Sequence, residues 1–478
     1  MKEGMEHQLN DWRSLIMMRS MFSAVSGLRA HQTRMDVIGN NIANVNTVGF
    51  KGSRVTFQEV FSQTLRGAGS PQDGRGGTNP QQVGLGINVA SMDTFHIRGA
   101  VERTDYNTDL MVNGDGFFIV SDDANFLNRS YTRAGNFALD QAGNLVTADG
   151  YRILGYMADE NGMLKSNIEG LQISKATTFD AKITEKVGFE GNLNSETKVS
   201  TAGNTVSGDV ADTDAVYIVK AHPGQSGFIY EINPEFENTV ARETTFEVYD
   251  NLGGIHRIKQ VFIKTGNDPS EFAVESFYIH PDGSMYHAEG ADPFTGVNPS
   301  IGFGTNGRID TGGTTTLTLE IGETLTNGAG PVNFEIDFSK LTMFANTSTA
   351  SATDIDGYKQ GTLDDFTIAS TGEIIGVFDN GQRRLLGQIA LANFKNPAGL
   401  EKTASNLYRT TANSGQAMVG VPGAGGFGNL VPGALEMSNV DLSREFTNMI
   451  TTQRGFQANS RIISTSDEML QEVVNMKR

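Results

Sequence analysis

The chain has 478 residues, enough for about three domains at ~100–200 residues each. Apolar side chains make up 38% and charged ones 19%, which excludes a disordered polyelectrolyte, and no window approaches the ~18 uninterrupted apolar residues of a membrane helix. A net charge of −18 argues against nucleic acid as a partner, and the absence of cysteine excludes disulfides, thiolate metal sites and thiol nucleophiles.

Residues 1–17 stand apart. Met1–Arg13 is polar and mixed in charge, and Leu15–Met18 is too short an apolar run for a secretory signal, so no cleaved signal is read here. Trp12-Arg13 can be encoded TGG-AGG, a purine-rich ribosome-binding site just ahead of Met17. The stretch is therefore expected to be a non-native upstream extension, which N-terminal sequencing tests. From Met21 the apolar positions run Met21, Val25, Leu28, Met35, Ile38, Ile42 and Val45, in steps of three, four or seven, and predict a helix. Gly27 and Gly39 inside it would leave it marginal in isolation.

Arg66–Gln82, rich in Gly, Pro and Ser, reads as a linker. Beyond it the period changes to two: Leu317, Leu319 and Ile321 alternate with Thr318 and Glu320, and Val332, Phe334, Ile336 and Phe338 with Asn333, Glu335 and Asp337. Asn-Gly and Asp-Gly pairs such as Asn113-Gly114 and Asn380-Gly381 supply the turns that hairpins demand, so the middle is expected to be antiparallel β. The polar stretches Asn192–Asp212 and Asn346–Asp354 bracket an inserted module, and Val419–Gly433 reads as a Gly/Pro hinge.

The last segment repeats the pattern of the first. Leu442, Phe446, Met449, Phe456, Ile463, Leu470 and Val474 fall on a four-three alternation interrupted by Gln453, Ser460 and Asp467. Ser438-Asn-Val-Asp441 resembles a capping box at its start. A helix from Ser438 to Asn475 would be ~55 Å long, a length that usually means a coiled coil.

The expected fold is mainly β with long terminal helices, the two helices forming a coiled-coil inner domain and nested antiparallel β-domains lying outside. In residue terms this is 18–66 with 434–478, a linker at 67–82, an inner β-domain of 83–191 with 360–433, and an outer β-domain of 192–359. Charge follows the same division: residues 1–70 carry +3, residues 437–478 carry none, and the middle carries −21. The ends are thus electrostatically free to bundle with other copies.

No catalytic constellation is present. There is no Gly-Lys pair for a phosphate loop, no His-Glu-x-x-His and no Gly-x-Ser-x-Gly. The seven histidines show no ligand spacing and are expected at the surface or in turns. Gly423-Ala-Gly-Gly-Phe-Gly428 matches a dinucleotide fingerprint in letters only, since no helix opens inside it. No cofactor, no metal and no enzymatic activity are expected.

Two long motifs carry a resemblance. Met18-Arg-Ser-Met-Phe-Ser-Ala-Val-Ser-Gly27-Leu28, Met35-Asp-Val-Ile-Gly-Asn-Asn-Ile-Ala-Asn44 and Gly49-Phe50-Lys51 resemble the N-terminal signature of the axial proteins of the bacterial flagellum. Ser438-Asn-Val-Asp-Leu-Ser443 and Gln453-Arg-Gly-Phe-Gln-Ala-Asn459 resemble the matching C-terminal end. Asp109-Leu-Met-Val-Asn-Gly-Asp-Gly-Phe117-Phe118 and Tyr131-Thr-Arg-Ala-Gly-Asn-Phe137 are common to the hook and rod branches of the family, and the length and large insertion point to the hook branch. A distal rod protein is the alternative within the family, and a secreted β-rich adhesin the alternative outside it.

The resemblance implies a structural subunit, exported unfolded by the flagellar type III apparatus without a cleaved signal and polymerised outside the cell into a curved, flexible tube, a universal joint between rod and filament. It implies as partners other copies of the chain, the distal rod protein, the hook cap and the hook–filament junction proteins, with no nucleic acid and no membrane insertion. Candidate assembly residues are Met21, Val25, Leu28, Met35, Ile38, Ile42, Leu442, Phe446, Met449, Phe456, Ile463 and Leu470. Phe50 and Lys51 join them on one reading; on the other, Phe50 anchors a turn on the β-domain. Relatives in some bacteria are crosslinked through a cysteine, a chemistry this chain does not possess.

Overall fold

The computed structural model describes residues 2–71, 76–207, 214–222, 228–267, 270–288, 293–296, 298–310 and 315–475, with only the backbone course of residues 2–17, 473 and 474. The chain divides into two units, one of residues 1–174, 366–376 and 383–478, the other of residues 175–365 and 377–382. Among the described residues no helix is long and apolar enough to cross a membrane.

The first unit contains both long helices, α1 (Lys2–Ala43) and α2 (Leu442–Asn475). α1 runs back past the expected start at Met21 and takes in most of the extension. It ends where Asn44 donates its side-chain amide to the Asn40 carbonyl (2.9 Å) and Thr47 donates its hydroxyl to Asn44 (3.1 Å). These local bonds offer the backbone an alternative to another helical turn. α2 opens one turn later than the expected Ser438. Asp441 is its N-cap, its Oδ1 accepting from the amides of Ser443 (2.9 Å) and Arg444 (3.3 Å). The third helical position is Arg444, so the reciprocal capping box expected at Ser438 does not form.

Between the helices the outgoing and returning chain run side by side. Val101–Arg103 pairs antiparallel with Ala434–Glu436, and Leu110–Asn113 with Asn429–Pro432. The strand Phe117–Ser121 pairs with Ser130–Thr132, Arg152–Ala158 and Leu391–Asn393, and Leu407–Arg409 adds to Ser130–Thr132. Their core is Phe117, Ile119, Tyr131, Leu154, Ala390, Ala392, Phe394 and Tyr408. The stretch expected to be a linker is the outer part of a ribbon, Ser62–Arg66 pairing with Gln81–Gly84. The stretch expected to be a hinge is held at both ends, Met418–Gly420 on Leu391–Asn393 and Asn429–Pro432 on Leu110–Asn113.

The second unit is a two-sheet sandwich. A five-stranded sheet has the order Phe294–Gly296, Thr316–Ile321, Val332–Phe344, Lys186–Asn194, Ser351–Ile355. An eight-stranded sheet is built around Val240–Tyr249, Ile255–Asn267 and Ser270–Ile279. Phe189 of the smaller sheet meets Phe246 and Phe262 of the larger at ring separations of 5.5 and 5.9 Å. Antiparallel pairing dominates as expected, but among the described residues two ladders are parallel: Lys186–Asn194 beside Val332–Phe344, and Asn204–Val206 beside Ala215–Ala221. In the first of these the chain returns after a long excursion, so no tight turn dictates strand direction. The two polar stretches bracketing the insertion meet here. The Thr349 and Ser348 hydroxyls accept from the Asn192 and Asn194 amides at 3.1 and 3.0 Å.

One histidine expected at the surface is part of this core. His256 is buried, with Nε2 3.1 Å from Asp250 Oδ2 and Nδ1 3.1 Å from the Tyr278 hydroxyl. Burial pushes the Tyr278 phenol up to about 12.

Candidate assembly surface

α1 and α2 lie against each other antiparallel. Ser20 shares a hydrogen bond with Ser466 (3.4 Å), and Asn41 donates to Glu445 (3.3 Å) at the other end. Between these, a Cβ on Gly27 would lie 2.6 Å from the Asn459 side chain, and one on Gly455 would lie 2.8 Å from the His31 ring. Position advances on one helix as it retreats on the other by the same count, so the pair holds a single register. The contact stripe is Ala24, Gly27, Ile38 and Asn41 on α1 and Thr452, Gly455, Asn459 and Ser466 on α2. Small and short polar residues let the axes approach closely, and Thr452 satisfies its own hydroxyl by donating to the Asn448 carbonyl (2.7 Å).

Most of the large apolar residues flank this stripe on one side of each helix, mostly within about 100° of it. Met21, Val25, Leu28, Met35, Ile42, Met449, Phe456, Ile463 and Leu470 are half-buried, and Leu442 and Phe446 are exposed. Three expected assembly residues, Ile38, Phe50 and Lys51, are buried within the single chain, Ile38 in the helix seam. Conversely, the sequence reading passed over Phe22 (69% exposed), Ile450 (53%), Ile462 and Met469. They adjoin Met21, Met449, Ile463 and Leu470, so a wider apolar stripe drawn on the helical wheel would have found them.

Gly49-Phe50-Lys51 is a joint between α1 and the β-structure. Gly49 has φ +68°, and a Cβ there would lie 2.6 Å from the Ala134 amide nitrogen, so only glycine fits. Phe50 carries the Lys402 ammonium 3.9 Å above its ring. Lys51 is fully buried and donates from Nζ to Glu436 Oε1 (2.7 Å) and to the Ile97 carbonyl (2.8 Å). Glu436 Oε1 also accepts from the Gly99 amide (2.9 Å), and Oε2 lies 3.6 Å from Arg133 Nη1. Two buried cations thus share one buried carboxylate. Burial lowers the Lys51 pKa, opposed by Glu436, and burial likewise lowers that of Arg133.

His96 sits beside these cations with its pKa lowered to about 4, by burial first and then by Lys51 and Arg133. Burial raises the Tyr408 phenol to about 12. Arg133, His96, Tyr408 and Glu436 all escaped the sequence reading, because 385 positions separate Lys51 from Glu436 and no local pattern joins them. The start of α2 is fixed nearby. Asn439 accepts from the Gly52 amide (2.8 Å) and donates to the Phe95 carbonyl (2.8 Å), while Asn41 accepts from the Ser53 amide (3.0 Å) and donates to its carbonyl (2.7 Å).

Known proteins match this arrangement along its length. The family model "Flagella basal body rod protein" matches residues 21–51, "Flagellar hook protein FlgE/F/G D1 domain" 111–194, "Flagellar basal body protein FlaE D2 domain" 220–358 and "Flagellar basal body rod FlgEFG protein C-terminal" 431–476. The flagellar hook protein FlgE of Borreliella burgdorferi is 40% identical over 481 residues, covering 96% of this chain and 100% of that protein. That of Treponema pallidum is 38% identical over 494 residues, covering 97% and 100%. The flagellar basal-body rod protein FlgG of Bacillus subtilis is 31% identical over 463 residues, covering 97% and 100%. The first and last matches fall on the two paired helices, the middle ones on the β-structure. With near-complete coverage at such identity, the chain belongs to the flagellar hook protein family and is a structural subunit of the hook.

Proposed function

We propose that copies of this subunit join through their terminal helices into a curved, flexible tube that carries rotation from the basal-body rod to the filament. The helices form a coiled-coil inner layer and the β-structure stands outside it. One observation carries the reading: α1 and α2 have closed their mutual seam mostly with small residues, yet still present Phe22, Phe446, Ile450, Ile462 and Met469 to solvent. Large apolar side chains left exposed in such number on two adjoining helices mark an interaction site, and apolar positions at helical spacing are what further helices pack against. Charge supports the same arrangement. The second unit holds 12 Lys/Arg and 29 Asp/Glu, −17 of the chain's −18, so the first unit, at −1, stacks with little repulsion.

The subunit performs no reaction. Its partners are other copies, the distal rod protein below, the cap and junction proteins above, and the type III export apparatus that delivers it outside the cell.

Phe446→Asp tests the reading. The side chain is half exposed in the single chain, so the variant is expected to keep its β-sheet circular dichroism and thermal midpoint while remaining monomeric in sedimentation and forming no tubes in electron micrographs. Tubes of normal number and curvature from the variant would remove the helices from the interface. Short straight cylinders from the unaltered chain would make it a rod component.

A further inference from the structure

Four buried polar atoms around the Lys51–Glu436 pair have no hydrogen-bond partner among the described residues: Arg133 Nε, the Tyr408 hydroxyl, His96 Nδ1 and Glu436 Oε2. They belong to one cluster. The His96 and Tyr408 rings stand edge to face at 5.5 Å, and both meet Phe117, at 5.6 and 5.7 Å. The Arg133 guanidinium lies 5.0 Å over that same Phe117 ring. Its Nη1 is 3.6 Å from Glu436 Oε2, close enough for charge attraction but beyond hydrogen-bond reach. Folded proteins leave few buried polar groups bare, and four in one place call for a common partner.

Their chemistry defines that partner. Arg133 Nε–H and Tyr408 O–H are donors, and Glu436 Oε2 is an acceptor. His96, packed among aromatic rings beside two cations, stays neutral, so one ring nitrogen is free to accept. Two donors and two acceptors in one cluster match the two lone pairs and two hydrogens of water. An anion would face the Glu436 carboxylate, and a metal cation would face Lys51 and Arg133.

We infer that one water molecule is sealed in this joint, accepting from Arg133 Nε–H and Tyr408 O–H and donating to Glu436 Oε2 and His96 Nδ1. It completes the bonding of the carboxylate, whose Oε1 is already occupied by Lys51 and Gly99. Tyr408 and His96 thereby become positioning residues for Glu436, linking the β-strand that bears Tyr408 to both helix ends.

A high-resolution crystal structure of the full chain, with crystals also grown in bromide, tests this. The expected result is one density peak within about 2.6–3.2 Å of all four atoms, without a bromide anomalous signal, and imidazole nitrogen shifts in NMR that put the His96 proton on Nε2. A bromide peak at the site would replace the water by an anion and overturn the assignment. So would Arg133 bonded directly to Glu436 Oε2 with nothing between. Tyr408→Phe keeps the ring packing and is expected to lose the peak and lower the thermal midpoint; a peak at full occupancy in that variant would overturn the four-partner geometry. Should the variant fail to fold, the His96 tautomer of the unaltered chain still decides, because a proton on Nδ1 contradicts the inferred acceptor.

Discussion

The paired helices and the sandwich of the second unit are both held by side chains spaced along regular elements, yet they bury opposite kinds of residue. The sandwich core is aromatic and aliphatic, Phe189, Phe246, Phe262, Phe272, Phe334 and Phe338 among its members. At roughly 1.5–3 kcal/mol for each large side chain buried, it carries its own stability. The helix seam, Ile38 apart, is glycine, alanine, serine, threonine and asparagine, which by the same measure contributes little. Most of the helices' large apolar side chains lie outside it. In the second unit, hydrophobic burial is spent on folding. In the helices most large apolar side chains stay half-buried or exposed in the single chain, which depends at its helix ends on a buried ionic joint instead.

That dependence is open to the largest test. Glu436→Ala leaves Lys51 and Arg133 buried without their shared carboxylate, a loss that costs about 3–5 kcal/mol. Hydrogen exchange of the full chain should then show the amides around 96–99 and 130–136 losing protection, while the strands Ile255–Asn267 and Ser270–Ile279 keep theirs. Equal loss in both places would mean that the two regions share one source of stability, and the contrast between them would fail.

Acid should find the same joint. The folded pKa of His96, about 4, lies below the ~6.5 of a free histidine. As pH falls through this interval the unfolded chain binds a proton that the folded joint refuses, so stability declines from about pH 6.5 to about pH 4 and levels off below. The full effect is on the order of 3 kcal/mol. His96→Phe, which retains an aromatic ring against Phe117 and Tyr408, should lose less stability between pH 7.5 and 4.5 than the unaltered chain in denaturant titrations. Identical slopes would take His96 out of the pH response.

The parts of this architecture that obey a local period were legible in the sequence. The two terminal helices and the alternating strands at Leu317–Ile321 and Val332–Phe338 announced themselves by spacing. The helix interface was legible only in part, because the apolar heptad marks the flank of the seam, while the seam itself, Ile38 apart, is built of small and short polar residues such as Ala24, Gly27, Thr452, Gly455 and Ser466 that carry little hydrophobic signal. A search for large side chains at steps of three and four finds Ile38 and the half-buried flank and misses the rest of the seam. Lys51 was singled out, but its partners come from residues 97 and 436, brought together only by the ladders that set the returning chain beside the outgoing one. The parallel pairing of Lys186–Asn194 with Val332–Phe344 was hidden for the same reason: strand direction across so long an excursion is a tertiary decision.

The smallest effect probes the helix pair itself. Asp441 caps α2 by accepting from two first-turn amides that have no intrahelical partner, and losing such a cap costs about 1 kcal/mol. In a helix anchored by a deep apolar face, that loss would be absorbed by packing over its whole length. Here the opening turn has Leu442 and Phe446 exposed, so it is held by polar bonds, the cap and the Asn41–Glu445 hydrogen bond, and not by apolar packing of these two side chains. Asp441→Ala should therefore speed exchange of the amides at 442–446 about fivefold, the factor that ~1 kcal/mol sets, with no change in the second unit. Glu445 remains to complement the helix dipole and keeps the effect from growing larger. Unchanged exchange would show that the small-residue seam grips α2 far harder than its chemistry implies, and the difference between the two regions would then be one of size and not of kind.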